Sequence, residues 1–169
     1  MVSAGASSRD EIFAILDEVK DPEVPVLSVV ELGIVRDVAV DGSAVTVTIT
    51  PTYSGCPAMR VIEEEIRAAL EARGLSPVRL ETVFAPAWTT EWMSADAKRK
   101  LAAYGIAPPG RAREESLVSL TRAPVVERVP CPYCGSRDTE VRSEFGSTAC
   151  KSIAYCRTCA QPFEAFKAI

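Results

Sequence analysis

Cys131-Pro132-Tyr133-Cys134-Gly135 and Cys156-Arg157-Thr158-Cys159-Ala160 decide the fold of the last third of the chain. Twenty-one residues separate Cys134 from Cys156, one beyond the usual range for paired Cys-x-x-Cys zinc sites and within what a loop absorbs. Four thiolates delivered as two tight pairs are what a tetrahedral, thiophilic ion needs. With Zn–S bonds of about 2.3 Å, each edge of the sulfur tetrahedron is about 3.5–4 Å. Cys131, Cys134, Cys156 and Cys159 are therefore the expected ligands of a structural Zn²⁺ in a ribbon spanning 125–169. Cys150 lies 15 residues beyond Cys134 and stands as an alternate ligand or a spare thiol.

Outward from the ribbon, composition sets the bounds. The 169 residues suffice for one moderate domain and one small one. Residues 1–124 hold 13 Lys/Arg and 18 Asp/Glu, a net of −5, and residues 125–169 hold 6 and 5, a net of +1. Neither part has the clustered positive charge of a phosphate-binding surface, so nucleic acid is not an expected partner. No apolar run approaches the ~18–20 residues that span a bilayer, so no membrane association is expected. The small, polar first eight residues carry no signal-peptide core, which points to the cytoplasm. There thiols stay reduced, and knuckle pairs read as metal sites rather than disulfides. Histidine is absent. That excludes Ser-His-Asp hydrolysis, His-Glu-x-x-His metalloprotease chemistry and zinc fingers that pair two cysteines with two histidines.

Hydrophobic spacing gives the rest of the architecture. Ser8-Arg-Asp-Glu11 is a capping box, and Ile12, Ile15, Leu16 and Val19 recur at helical spacing, so a helix is expected over 9–20. Leu27–Gly33 reads as a short helix. Residues 34–40 and 44–50 read as strands about an Asp41-Gly42 turn, with Val45, Val47 and Ile49 alternating against Thr46, Thr48 and Thr50. Pro57 opens a second helix that Gly74 closes, and 77–85 reads as a third strand. Ser94 caps a further helix with Ala97, Leu101 and Tyr104 on one face. Trp88 and Trp92 stand four apart, as core anchors or as a partner surface. The expected fold class is α+β: a small α-β-β-α-β domain with a mixed sheet over 9–105, a linker with an edge strand over 106–124 (strand at 116–120), and a four-cysteine zinc ribbon over 125–169.

Cys56 stands apart from the ribbon, between the polar-faced strand and Pro57. It reads as the N-cap of the second helix, where unpaired N–H groups and the helix dipole lower a thiol pKa. It also reads as a small residue filling a strand–helix corner. Asp21-Pro22-Glu23 offers two carboxylates, for metal binding or proton transfer, or a solvated turn.

The stretch Asp21-Pro-Glu-Val-Pro25 through Gly33-Ile-Val-Arg-Asp37, with Gly55-Cys56-Pro57, resembles the iron–sulfur-assembly domain family that includes SufT-like proteins. The continuation Pro86-Ala-Trp88-Thr-Thr-Glu-Trp92, Tyr104-Gly-Ile-Ala-Pro-Pro109 and Phe145-Gly-Ser-Thr-Ala-Cys150 resembles the PaaD family of bacterial phenylacetate degradation. That resemblance implies a non-enzymatic accessory protein of the multicomponent oxygenase that epoxidises phenylacetyl-coenzyme A, delivering or assembling an Fe–S cluster or iron centre. The alternative is a zinc-stabilised structural adaptor of the complex. It further implies Cys56 as the reactive, cluster-transfer residue, with Asp21, Glu23 and Thr50 around it and a labile Fe–S cluster or iron as cargo. The implied partners are the diiron subunits or the ferredoxin-type reductase, or a second copy of the chain. In the ribbon a rubredoxin-like iron is the rival to zinc; Ala160, where rubredoxin-type knuckles carry glycine, tilts toward zinc.

Overall fold

The computed structural model describes residues 8–53, 55–110 and 128–168. The strand expected at 116–120 lies outside them. The chain divides into two compact units, Met1–Trp88 and Thr89–Ile169.

The first unit holds α1 (Arg9–Leu16), β1 (Val35–Asp41), β2 (Ala44–Ile49), α2 (Met59–Glu71) and β3 (Val78–Thr82) in a three-stranded sheet ordered β1-β2-β3. β1 and β2 are an antiparallel hairpin; β2 and β3 are parallel, joined through α2, so the sheet is mixed. A two-residue loop closes the hairpin, and its first residue, Gly42, has φ 62°, a conformation that costs glycine nothing. Period two puts Val45, Val47 and Ile49 on the buried face, where Ile62, Ile66 and Leu70 of α2 and Ile12 and Leu16 of α1 complete the core.

One expected helix comes out shorter and another does not form. The Ser8–Glu11 capping box forms, but α1 ends at Leu16 rather than at residue 20. Beyond it Glu18 N–H and Val19 N–H reach back only three residues, to Ile15 and Leu16. The side chain of Asp17 instead accepts the Ser28 hydroxyl, and the Val19 carbonyl accepts Val29 N–H, which turns the chain out of the helix. At 27–33 the structure has one capped turn and no helix. Ser28 and Glu31 cap each other reciprocally, at 2.9 and 3.0 Å, and Gly33 at φ 71° ends the turn at once.

The second unit holds a 3₁₀ turn (Thr90–Trp92), α3 (Ala95–Ala103), β4 (Ile106–Ala107), β5 (Thr139–Ser143), β6 (Lys151–Cys156) and β7 (Pro162–Phe166). Its sheet is ordered β4-β7-β6-β5, with β4 parallel to β7 and the rest antiparallel. Ser94 caps α3 as expected, accepting from Ala97 N–H at 2.9 Å, and Ala97 and Leu101 are fully buried. Tyr104, expected on that face, is exposed instead. The two tryptophans share no helix face. Trp88 is buried and donates its indole N–H to the Leu32 carbonyl at 2.9 Å; Trp92, on the 3₁₀ turn, is half-buried.

Candidate metal centre and the Cys56 corner

The two knuckles converge in the second unit. One ligand atom from each of Cys131, Cys134, Cys156 and Cys159 lies within 4.8 Å of all the others. Two contacts run between the pairs: the sulfurs of Cys131 and Cys159 at 3.7 Å and those of Cys134 and Cys156 at 3.6 Å. The edge of a tetrahedron with bonds of about 2.3 Å is about 3.8 Å, so the sulfurs already stand where a tetrahedral ion would hold them. Backbone bonds fix both turns: Gly135 N–H to Cys131 O at 2.9 Å, Cys131 N–H to Ser136 O at 2.9 Å, and Cys156 N–H to Gln161 O at 3.0 Å. The Ser136 and Thr158 hydroxyls, 2.7 Å apart, tie one turn to the other. The residue after each pair is left-handed, Gly135 at φ 74° and Ala160 at φ 57°. Only the first is glycine.

The electrostatics of this cluster call for a cation. The Cys159 backbone N–H, followed by the neighbouring thiols and the Thr158 N–H, favours the Cys156 thiolate against its burial and draws its pKa down to about 6. Desolvation, then Cys156 and Cys134, push Cys159 up to about 12. Cys134 is also raised: the Ser136 backbone favours its thiolate, but burial and the Cys156 sulfur prevail. Like charges this close cannot all ionise unaided, and a bound dication makes all four thiolates favourable together. The apolar core beneath is small: Ala107, Ala154, Phe163 and Ala165, with the buried sulfurs of Cys131 and Cys156. Cys150 lies outside the four-sulfur cluster, buried, with its sulfur 3.1 Å from the Thr148 hydroxyl.

In the first unit the predicted residues gather at one end of the sheet. Thr50 follows the last residue of β2, is buried, and donates its N–H to Ile34 O at 2.8 Å. Ile34 N–H bonds Val29 O, Val29 N–H bonds Val19 O, and Asp21 N–H bonds Leu27 O, so the acidic turn sits at the same end. The Asp21 carboxylate, buried, accepts the N–H groups of Glu23 at 2.7 Å and Val24 at 2.9 Å, which makes it the brace of that turn. Cys56 is half-buried. It is not the helix cap: α2 begins at Met59 with Ala58 as its N-cap, and Cys56 closes a preceding turn through its N–H to Tyr53 O at 3.0 Å, while Met59 N–H reaches Cys56 O at 3.3 Å. Pro57 lies in the intervening turn, two residues before the first helical position that the proline rule assigned it. Tyr53, which the sequence places with Thr50 among the hydroxyl-bearing residues around Cys56, has its ring against Gly55: a Cβ there would meet Tyr53 Cε1 at 3.3 Å.

Residues 9–77 match the "Iron-sulfur cluster assembly protein" family model, and residues 116–167 match "PaaD zinc beta ribbon domain". The chain is 43% identical over 159 residues to an Escherichia coli protein named as a subunit of a "Putative 1,2-phenylacetyl-CoA epoxidase", covering 94% of this chain and 92% of that one. The chain belongs to the PaaD family. This PaaD-family chain is also 38% identical over 97 residues to the "Fe-S protein maturation auxiliary factor" of Porphyromonas gingivalis, covering 56% of this chain and 90% of the relative. Among solved structures it is similar to a domain of unknown function from Bacillus anthracis, with TM-score 0.52 and 31% identity, over 55% of this chain and 90% of that one. The N-terminal unit of the PaaD-family chain thus has the fold of that domain, and the ribbon's four cysteines could hold a metal. Among the described residues no helix is long and apolar enough to cross a membrane.

Proposed function

We propose that the chain is an accessory maturation protein of the phenylacetyl-CoA ring-epoxidising oxygenase, which delivers or assembles an Fe–S cluster or iron centre on that enzyme and catalyses none of its chemistry. The observation that carries this reading is a half-buried thiol, Cys56, following the buried Thr50 at the end of β2 in an Fe–S-assembly fold. A thiol in that position is reachable by a metal and shielded from bulk water on one side, as a temporary ligand must be. Asp21 and Glu23 support it from the adjoining turn, Asp21 by holding the turn's shape. The cluster or iron is cargo. One thiolate cannot hold it alone, so the remaining ligands come from the acceptor or from a second copy. In the ribbon, Cys131, Cys134, Cys156 and Cys159 hold Zn²⁺, whose role there is structural.

Anaerobic reconstitution with iron and sulfide tests the reading. The wild type is expected to gain visible sulfur-to-iron absorption that Cys56→Ser loses, and to pass the metal to the apo-oxygenase. The alternative, a zinc-stabilised adaptor that holds oxygenase components together, rests on Cys56 standing outside the four-sulfur cluster. It predicts co-purification with the oxygenase and full metal content in the client when Cys56 is serine.

A further inference from the structure

The carboxyl end of the first sheet, where Cys56 lies, also carries two large aromatics that the fold does not consume. Tyr53 is 50% exposed and Phe84 is 59% exposed. β2 and β3 are parallel and in register at Ile49 and Thr82, and Val83 N–H continues the pairing to Ile49 O at 2.9 Å. Both segments therefore leave the sheet at the same edge, one toward Tyr53 and Cys56, the other into Phe84. The segment after Phe84 then reaches Trp88, whose indole is anchored on Leu32, close to the Ile34 that bonds Thr50. Phe84 thus begins a strap pinned at both ends, and Tyr53 is seated on Gly55, the residue before Cys56. Aromatics fixed by their backbones and left in water are the side chains that dominate protein–protein hot spots.

Charge narrows the occupant. Residues 1–88 contain 7 Lys/Arg and 14 Asp/Glu, a net of −7. Around this edge Glu81 of β3 is exposed, and Glu63 of α2 accepts the Thr82 hydroxyl at 3.3 Å. Two copies apposed by this face would bring like charge together, which disfavours a face-to-face dimer. A partner that offers an apolar socket rimmed by Lys and Arg fits it.

We propose that Tyr53 and Phe84 form the docking rim for the acceptor protein, whose own surface is a basic-rimmed apolar socket leading to its metal centre, and that they seat it over Cys56. The proposal rests on the delivery reading above and adds the surface that selects the client. The remaining purified subunits of the phenylacetyl-CoA epoxidase from the same organism serve as the probe, with dissociation constants measured at low and at high salt. Wild type is expected to bind one of them saturably and more weakly in salt. Tyr53→Ala and Phe84→Ala should each weaken binding about tenfold or more. Glu63→Lys with Glu81→Lys should weaken it and flatten the salt dependence, while Cys56→Ser should bind within about twofold of wild type. Thermal melting of each variant checks that the fold persists. The proposal is overturned if no subunit binds saturably, if the alanine variants bind as tightly as wild type, or if light scattering shows a dimer that those variants dissolve. Transfer lost in Cys56→Ser with undiminished binding by the aromatic variants would sink the docking rim and leave the delivery reading standing.

Discussion

Ala160 holds a left-handed backbone at φ 57°, the conformation its counterpart Gly135 holds at φ 74°. For an L-residue with a Cβ that conformation costs about 1–2 kcal/mol. Replacing it by glycine removes that strain but frees the unfolded chain, at a cost of about 0.5–1 kcal/mol. Ala160→Gly should therefore stabilise the ribbon by about 0.5–1 kcal/mol. For a unit the size of Thr89–Ile169 this is a rise of about 2–8 °C in the melting midpoint. The reverse change has a clean counterpart, because a Cβ at Gly135 would meet nothing within 4 Å, so Gly135→Ala introduces the dihedral strain without a clash. It should lower the midpoint by a similar amount. The assay is thermal unfolding of the metal-loaded 169-residue chain by circular dichroism, with metal loss to a competing chelator followed in parallel. A lower midpoint for Ala160→Gly, or a higher one for Gly135→Ala, would refute the claim that the two knuckles share one backbone requirement.

Removing the metal should unfold the ribbon and spare the first unit, because the core under the sulfurs is only a few small side chains and Phe163. Hydrogen exchange after chelation should show protection lost over 151–156 and 162–166 and kept over 44–49 and 59–71. Glu164 gives a pH test. Burial opposes its ionisation, but the Ser147 backbone and hydroxyl and the buried Lys151, 3.1 Å away, outweigh that and hold its carboxyl below the ordinary value of 4.5. Its contribution is thus fully present above about pH 4.5 and fades as pH falls through the folded value. Glu164→Gln, which leaves Lys151 without this carboxylate, should cost about 1–2 kcal/mol at neutral pH after allowance for the partial exposure of Glu164. Urea midpoints should show the wild-type advantage shrinking in acid. Trp88→Phe removes the N–H from the Leu32 carbonyl and should cost about 1–3 kcal/mol in the first unit's denaturant midpoint.

Much of this architecture is legible in the sequence wherever one local rule acts alone. Period two in Ala44–Ile49, period 3.6 in Met59–Glu71 and the caps at Ser8 and Ser94 all appear where their spacing puts them. The cysteine pairs converge because a four-sulfur site has few geometric solutions. The misreadings occur where two rules compete. Val19 continues the helical stripe, yet its carbonyl is claimed by Val29 and the helix stops at Leu16. Ser28 and Glu31 form a capping box with nothing to cap, since Gly33 follows within one turn. Cys56 precedes a proline, but an extra turn through Tyr53 sets it three residues before the helix. The two tryptophans at a spacing of four left core anchor and partner surface open, and it is the tertiary bond to Leu32 that makes Trp88 an anchor. The exposed aromatics Tyr53 and Phe84 carry no periodic signal, because nothing inside their own segments dictates that they stay in water.

The strand order of the second sheet has a consequence for the order of events during synthesis. β7 lies between β4 and β6, yet it is the latest of the strands to be made. Until β7 is made, β4 has no partner in this sheet and β5 and β6 can form only a hairpin, so the sheet closes with the strand that comes last of those described.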